Sequence, residues 1–97
     1  MKEDLLKIIK HYGINAQQRQ LAEEVFELQE AITEYEFMNY EIPATYLVDT
    51  KEPIAEEIAD VAVMLKQFQY YYSIDNEFII TLMQGKVNRQ LERIEHE

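Results

Sequence analysis

Two stretches decide the reading of this chain: Leu21-Ala22-Glu23-Glu24-Val25-Phe26-Glu27-Leu28 and Ile54-Ala55-Glu56-Glu57-Ile58-Ala59-Asp60-Val61. Each sets a pair of acids three residues apart inside a run whose apolar residues recur at three and four, the period of an amphipathic helix. Around the first, Leu21, Val25, Leu28, Ile32 and Tyr35 continue one apolar stripe. Around the second, Ile54, Ile58, Val61, Leu65 and Phe68 do the same. Glycine and proline number only two each in 97 residues, too little punctuation for strands joined by tight turns. The expected fold class is all-α.

The few breakers divide the chain into helical lengths. A short helix from about Lys2 to Tyr12 ends at Gly13, which suits a left-handed C-cap. Asn15, with Gln18 three residues on, reads as a capping box opening a helix to about Asn39. Tyr40 to Lys51, with Pro43, reads as a connecting loop. Thr50 then caps a third helix from about Lys51 to Tyr72, with Pro53 in its first turn. Ser73 to Asn76 reads as a turn and cap before a fourth helix to about Ile94, in which Gly85 costs about 1 kcal/mol against alanine. Ala55, Ala59, Ala62 and Val63 widen the apolar coverage of the third helix beyond one stripe, so it needs surroundings. Four short helices can hardly supply them within one subunit. The expectation is one domain, residues 1–97: a four-helix module assembled with neighbouring subunits into an oligomeric helical bundle.

Acids outnumber bases 19 to 9, giving a net charge of −10 and a pI near 4.6. That balance excludes nucleic acid as a partner, since phosphates demand a basic footprint, and excludes docking on anionic membranes. With 47% hydrophobic and 29% charged residues the chain can build a core. Cysteine is absent, so disulfides and thiolate chemistry are excluded. No signal pattern opens the sequence and no apolar run approaches a membrane span. These features point to a soluble, cytoplasmic protein.

On the two central helices Glu24 and Glu57 flank the apolar stripes, and Glu27 and Asp60 lie one step further round. If the stripes face each other, all four carboxylates share one groove. Glu23, Glu30, Glu34 and Glu56 lie toward the solvated side. The plain alternative is that all these acids solvate ordinary amphipathic helices. Against it, same-sign pairs cost about 0.2–0.5 kcal/mol each even on an exposed helix, and more where partly buried. A divalent cation would offset that repulsion. Oxygen-only ligands suit a hard ion, Mg²⁺ or Mn²⁺. On the fourth helix Lys86, Arg89 and Arg93 share a face that continues Phe78 and Leu82. Read alone, this is equally a solvated basic face near a helix C-terminus. Taken with the acidic groove, it offers what a polyphosphate needs: metal on one side and cationic donors on the other.

These elements resemble the MazG-like superfamily of all-α nucleoside triphosphate pyrophosphohydrolases. The matching residues run in order from Gln17 through Leu21-Ala22-Glu23-Glu24-x-x-Glu27-Leu28 and Glu56-Glu57-Ile58-Ala59-Asp60-Val61 to Lys86-x-x-Arg89-x-x-x-Arg93-Ile94. The resemblance implies a homodimer or homotetramer that binds Mg²⁺ through Glu24, Glu27, Glu57 and Asp60. It implies cleavage of a (d)NTP to the monophosphate and pyrophosphate. Lys86, Arg89 and Arg93 would hold phosphates, Gln17 would touch substrate, and Glu23 or Glu56 would serve as base. Asn88 follows Lys86 by two residues where the family pattern has an Asn a turn later, and no tryptophan is present to stack a base. A different class of function, a non-catalytic acidic helical interaction and oligomerisation module, accounts for the same composition without the duplicated register. His11 and His96 read as surface residues, and Tyr70-Tyr71-Tyr72 as packing.

Overall fold

The computed structural model describes residues 1–41 and 51–97, and among these every regular element is a helix. They are α1 (Lys2–Tyr12), α2 (Ile14–Glu41), α3 (Glu52–Tyr71) and α4 (Asn76–Glu95). The all-α order of four helices is therefore as the sequence suggests. Tyr40 and Glu41 belong to α2, so the helix runs past its expected end. The rest of the expected loop, 42–50, lies outside the described residues.

Three termini differ from expectation, each for a local reason. Gly13 adopts φ 91° and ψ 153°, a region essentially open to glycine alone and not the left-handed helical one. Its N–H donates to the Ile9 carbonyl at 2.9 Å, and its own carbonyl accepts the Gln17 N–H at 3.1 Å. One residue thus closes α1 and opens α2, which places Asn15 inside the first turn and leaves no capping box to form. Lys51, not Thr50, holds the cap of α3, its carbonyl accepting from the Ala55 N–H at 3.0 Å. Pro53 follows as the second helical residue, where no intrahelical N–H is required. At the other end of α3, Ser73 has φ 55° and donates to the Tyr70 carbonyl, while Ile74 donates to that of Gln69. That pair of bonds is a Schellman closure with serine where glycine is usual.

α2 and α3 form an antiparallel hairpin, and α1 lies along α3 with a lesser contact to α2. The seam of the hairpin keeps Leu21, Leu28, Tyr35, Ile54, Val61 and Phe68 of the expected stripes but is otherwise shifted. From 17 to 37, the residues that escape full exposure are Gln17, Leu21, Glu24, Leu28, Ala31 and Tyr35, spaced by alternating fours and threes. On α3 Ile54, Glu57, Val61, Met64 and Phe68 repeat that spacing, and Lys66, Gln67, Gln69 and Tyr70 join them toward the helix C-terminus. This is the heptad spacing of a coiled-coil seam. The expected stripe members Val25, Ile32, Ile58 and Leu65 are instead 43–54% exposed. α3 is apolar around most of its circumference, so period alone cannot select which face turns inward.

The interior is small. Among the described residues, the buried apolar side chains are Leu5, Ile9 and Met64, joined by the amides of Gln17, Gln67 and Gln69. Full burial of such apolar side chains contributes about 1.5–3 kcal/mol each, a thin foundation for a chain of this length. α4 buries none of its residues and makes only marginal contact with the other helices. The radius of gyration is 17.5 Å. A compact chain of this size would have about 12–13 Å. α4 instead departs from the end of α3, leaving an apolar groove of about 470 Å³ between them, lined by Leu65, Phe68, Ile79, Ile80 and Met83 among others.

Candidate metal centre

The hairpin positions the acids by register. Gln17 on α2 lies against Gln67 on α3, its Nε2 donating to Oε1 at 2.9 Å. Seven residues separate Gln17 from Glu24, and seven separate Gln67 from Asp60, two helical turns in each case. In an antiparallel pair this sets Glu24 opposite Asp60 and Glu27 opposite Glu57. Glu24, Glu57 and Asp60 each offer a carboxylate oxygen, all within 4.8 Å of one another. Glu27 adjoins this group, close enough for its carboxyl to feel both Glu24 and Glu57.

Two of the four acids sit in the seam itself rather than at its edge. Glu24 and Glu57 are half-buried, while Glu27 and Asp60 are exposed. The Glu24 Oε1 accepts from the Gln20 Nε2 at 2.8 Å. Its Oε2, like the Oε2 of Glu57, is withdrawn from solvent and has no hydrogen-bond partner. A buried acceptor without a donor costs about 1–3 kcal/mol and more when charged, so natural structures rarely keep one without use.

The electrostatics agree with the geometry. The charge on Glu24 lifts the Glu27 carboxyl above the ordinary carboxylate range, with desolvation and the charge on Glu57 adding to it. Partial burial is the first cause raising the Glu57 carboxyl, followed by Asp60 and Glu24, while a hydrogen bond with Glu27 works the other way. The cluster holds more negative charge than its own donors can satisfy. A divalent cation would answer both the repulsion and the two orphaned oxygens, and four carboxylates without nitrogen or sulfur are the donor set of a hard ion.

The remaining expected site residues fall elsewhere. Lys86, Arg89 and Arg93 are exposed on α4, and the marginal packing of that helix does not bring them onto the acids within one chain. Gln17, expected at the substrate, is buried within the hairpin with its amide nitrogen engaged by Gln67. Glu23 and Glu56 are exposed, but their charges reach Glu27 and Glu57 respectively. Glu30 and Glu34 are solvated. His11 stacks edge-on against Tyr12 at 4.8 Å, and His96 and Asn88 are exposed. Tyr70 is half-buried, with the Lys2 and Lys66 ammonium groups 5.7 and 5.8 Å from its ring centre.

Two contributors escaped the sequence reading. Gln20 stands four residues before Glu24, a spacing at which an amide reaches a carboxylate on the same helix face, so it was legible. Gln67 gave a subtler signal: it mirrors Gln17 about the acids, at the same seven-residue distance. Compared with known proteins, the chain matches no family model, no curated protein and no solved structure.

Proposed function

We propose that this protein is a Mg²⁺-dependent nucleotide pyrophosphohydrolase of MazG-like type, converting a nucleoside or deoxynucleoside triphosphate to the monophosphate and pyrophosphate. The observation that carries the reading is the seam-borne carboxylate cluster with two buried, donor-less oxygens, at Glu24 and Glu57. Surface decoration would place acids where water solvates both oxygens. Here the acids replace apolar residues at seam positions, which a non-catalytic helix pair has no reason to do.

Glu24, Glu27, Glu57 and Asp60 would hold the ion, with Mn²⁺ an acceptable substitute. An ion held there would supply charge neutralisation for the triphosphate and acidification of a water. Glu23 and Glu56 stand next to the ligands with their carboxylates in solvent, suited to accept the proton that the attacking water loses. Lys86, Arg89 and Arg93 would grip the phosphates and stabilise the departing pyrophosphate.

That last role requires assembly. Val25, Ile32, Ile58 and Leu65 on the hairpin and Ile80, Met83, Val87, Leu91 and Ile94 on α4 are 43–63% exposed. Such a density of exposed apolar side chains marks an interface. A homodimer or homotetramer would cover these faces and bring a basic α4 face beside an acidic cluster. The enzyme would act on free nucleotides in the cytoplasm.

The competing reading, an acidic oligomerisation module without catalysis, is favoured by the same unpacked α4 and by the distance of its cations from the acids. An assay decides between them. Each common NTP and dNTP is incubated with the protein and Mg²⁺, and pyrophosphate is resolved from orthophosphate. The enzyme reading expects pyrophosphate from at least one nucleotide, abolished by EDTA. No turnover with either Mg²⁺ or Mn²⁺ would favour the module, and orthophosphate as first product would mean a different reaction.

A further inference from the structure

We infer that the buried Gln17–Gln67 amide pair is a register lock: it selects the one alignment of α2 against α3 in which the four acids converge. The inference rests on the reading of the cluster as a metal site, and it assigns positioning residues to that site.

The seam repeats every three or four residues on both helices. A slide of α3 by one turn toward Leu21–Phe68 pairing therefore sets most apolar seam residues against apolar ones again, and burial alone discriminates weakly between the two alignments. The acids oppose the observed alignment, because it gathers like charges whose carboxylates press on one another. Something else must favour it. Gln17 and Gln67 are 7% and 2% exposed, and their amides meet at 2.9 Å. Displaced by a turn, each amide would face an apolar seam residue and lose its partner. A buried polar group left unpaired costs about 1–3 kcal/mol. A buried polar pair among the apolar residues of a seam is the best-attested way for helices to fix alignment. Its position, two turns from Glu24 and from Asp60, lets it act on the acids without touching them.

The test replaces both amides by near-isosteric apolar side chains, Gln17→Met with Gln67→Met, and reads register without metal. Cysteine is absent from the chain, so spin labels can be set at exposed Glu30 on α2 and Tyr71 on α3 through introduced cysteines. Labelled chains are diluted in unlabelled protein so that only distances within one chain are read. In the observed alignment these positions lie 17 residues apart along the hairpin axis, about 25 Å. The unmodified pair should give one narrow distance. The methionine pair should shift it by about 5 Å, one helical turn, or split it into two populations. Mn²⁺ binding should weaken at least tenfold, as for residues that orient ligands from behind, with no loss of thermal stability. An unchanged narrow distance in the methionine pair overturns the inference whatever happens to Mn²⁺. Unfolding of both this variant and Gln17→Leu with Gln67→Leu overturns it too, since the pair would then supply stability and not alignment. If the unsubstituted protein binds no Mn²⁺ while the distance still shifts, the lock stands and the metal reading fails.

Discussion

The α2–α3 hairpin and α4 are built from similarly amphipathic sequence and end in opposite states. The hairpin buries a seam and places Glu24, Glu57 and Gln67 within or beside it. α4 carries a full apolar stripe and buries nothing. In the hairpin, stability is given up locally so that charged and polar groups can occupy interior positions. In α4, the apolar side chains stay exposed. The first pattern fits the proposed metal site and the second fits the proposed assembly, which would add buried area to a small interior.

The largest expected effect falls on the hairpin. Asp60→Asn keeps the shape of the side chain but removes one ligand charge, and should lower turnover at least a hundredfold with the fold intact by circular dichroism. Turnover within threefold of the unsubstituted protein would remove Asp60 from the site. On α4, Val87→Asp with Leu91→Asp puts two charges into the exposed stripe. Each of those side chains is worth about 1.5–3 kcal/mol when buried, so sedimentation equilibrium should show the assembly dissociating. If the unsubstituted protein is already a folded monomer at micromolar concentration, the contrast between the two regions collapses.

The contrast was only partly legible in the sequence. Helix number, order and most boundaries followed from period and breakers, and the approach of Glu24, Glu57 and Asp60 followed from the duplicated spacing. What period could not fix was the inward face. On α2 and α3 the true seam is shifted from the predicted stripe, so that Glu24 and Glu57 sit within it and Val25, Ile32, Ile58 and Leu65 lie outside. With apolar residues on two sides of each helix, the choice is made by long-range packing against α1 and by the Gln17–Gln67 bond, neither of which a periodicity count contains. Lys86, Arg89 and Arg93 were legible as a shared face of α4, and within one chain they stay exposed and away from the acids.

The hairpin also predicts a pH dependence of the metal-free protein. Glu27 and Glu57 have folded pKa values raised above their unfolded ones. The native state therefore binds more protons than the unfolded state between those values, and stability falls as pH rises from the ordinary carboxylate range through the raised one. Thermal midpoints measured in EDTA should be higher at the acidic end of that window, and saturating Mg²⁺ should flatten or reverse the trend. A metal-free midpoint that climbs across the same window would show that the crowding is not felt. The smallest effect lies at the junction between the two regions. Ser73 holds a left-handed conformation that glycine adopts freely, so Ser73→Gly should stabilise the end of α3 by about 1 kcal/mol. A loss of stability would mean that the serine side chain contributes more than its backbone strain costs.

The central claim is that Glu24, Glu27, Glu57 and Asp60 crowd one another in order to hold a cation. Thermal unfolding with and without Mg²⁺, for Glu57→Gln beside Glu34→Gln, tests it most directly. Each substitution removes one negative charge, so net charge cannot separate them. Glu57→Gln should be at least as stable as the unsubstituted protein in EDTA, because repulsion is relieved, and should lose most of the stabilisation that Mg²⁺ confers by binding the native state. Glu34→Gln, exposed on α2, should keep that stabilisation in full. Identical responses of the two variants to Mg²⁺ would contradict the claim.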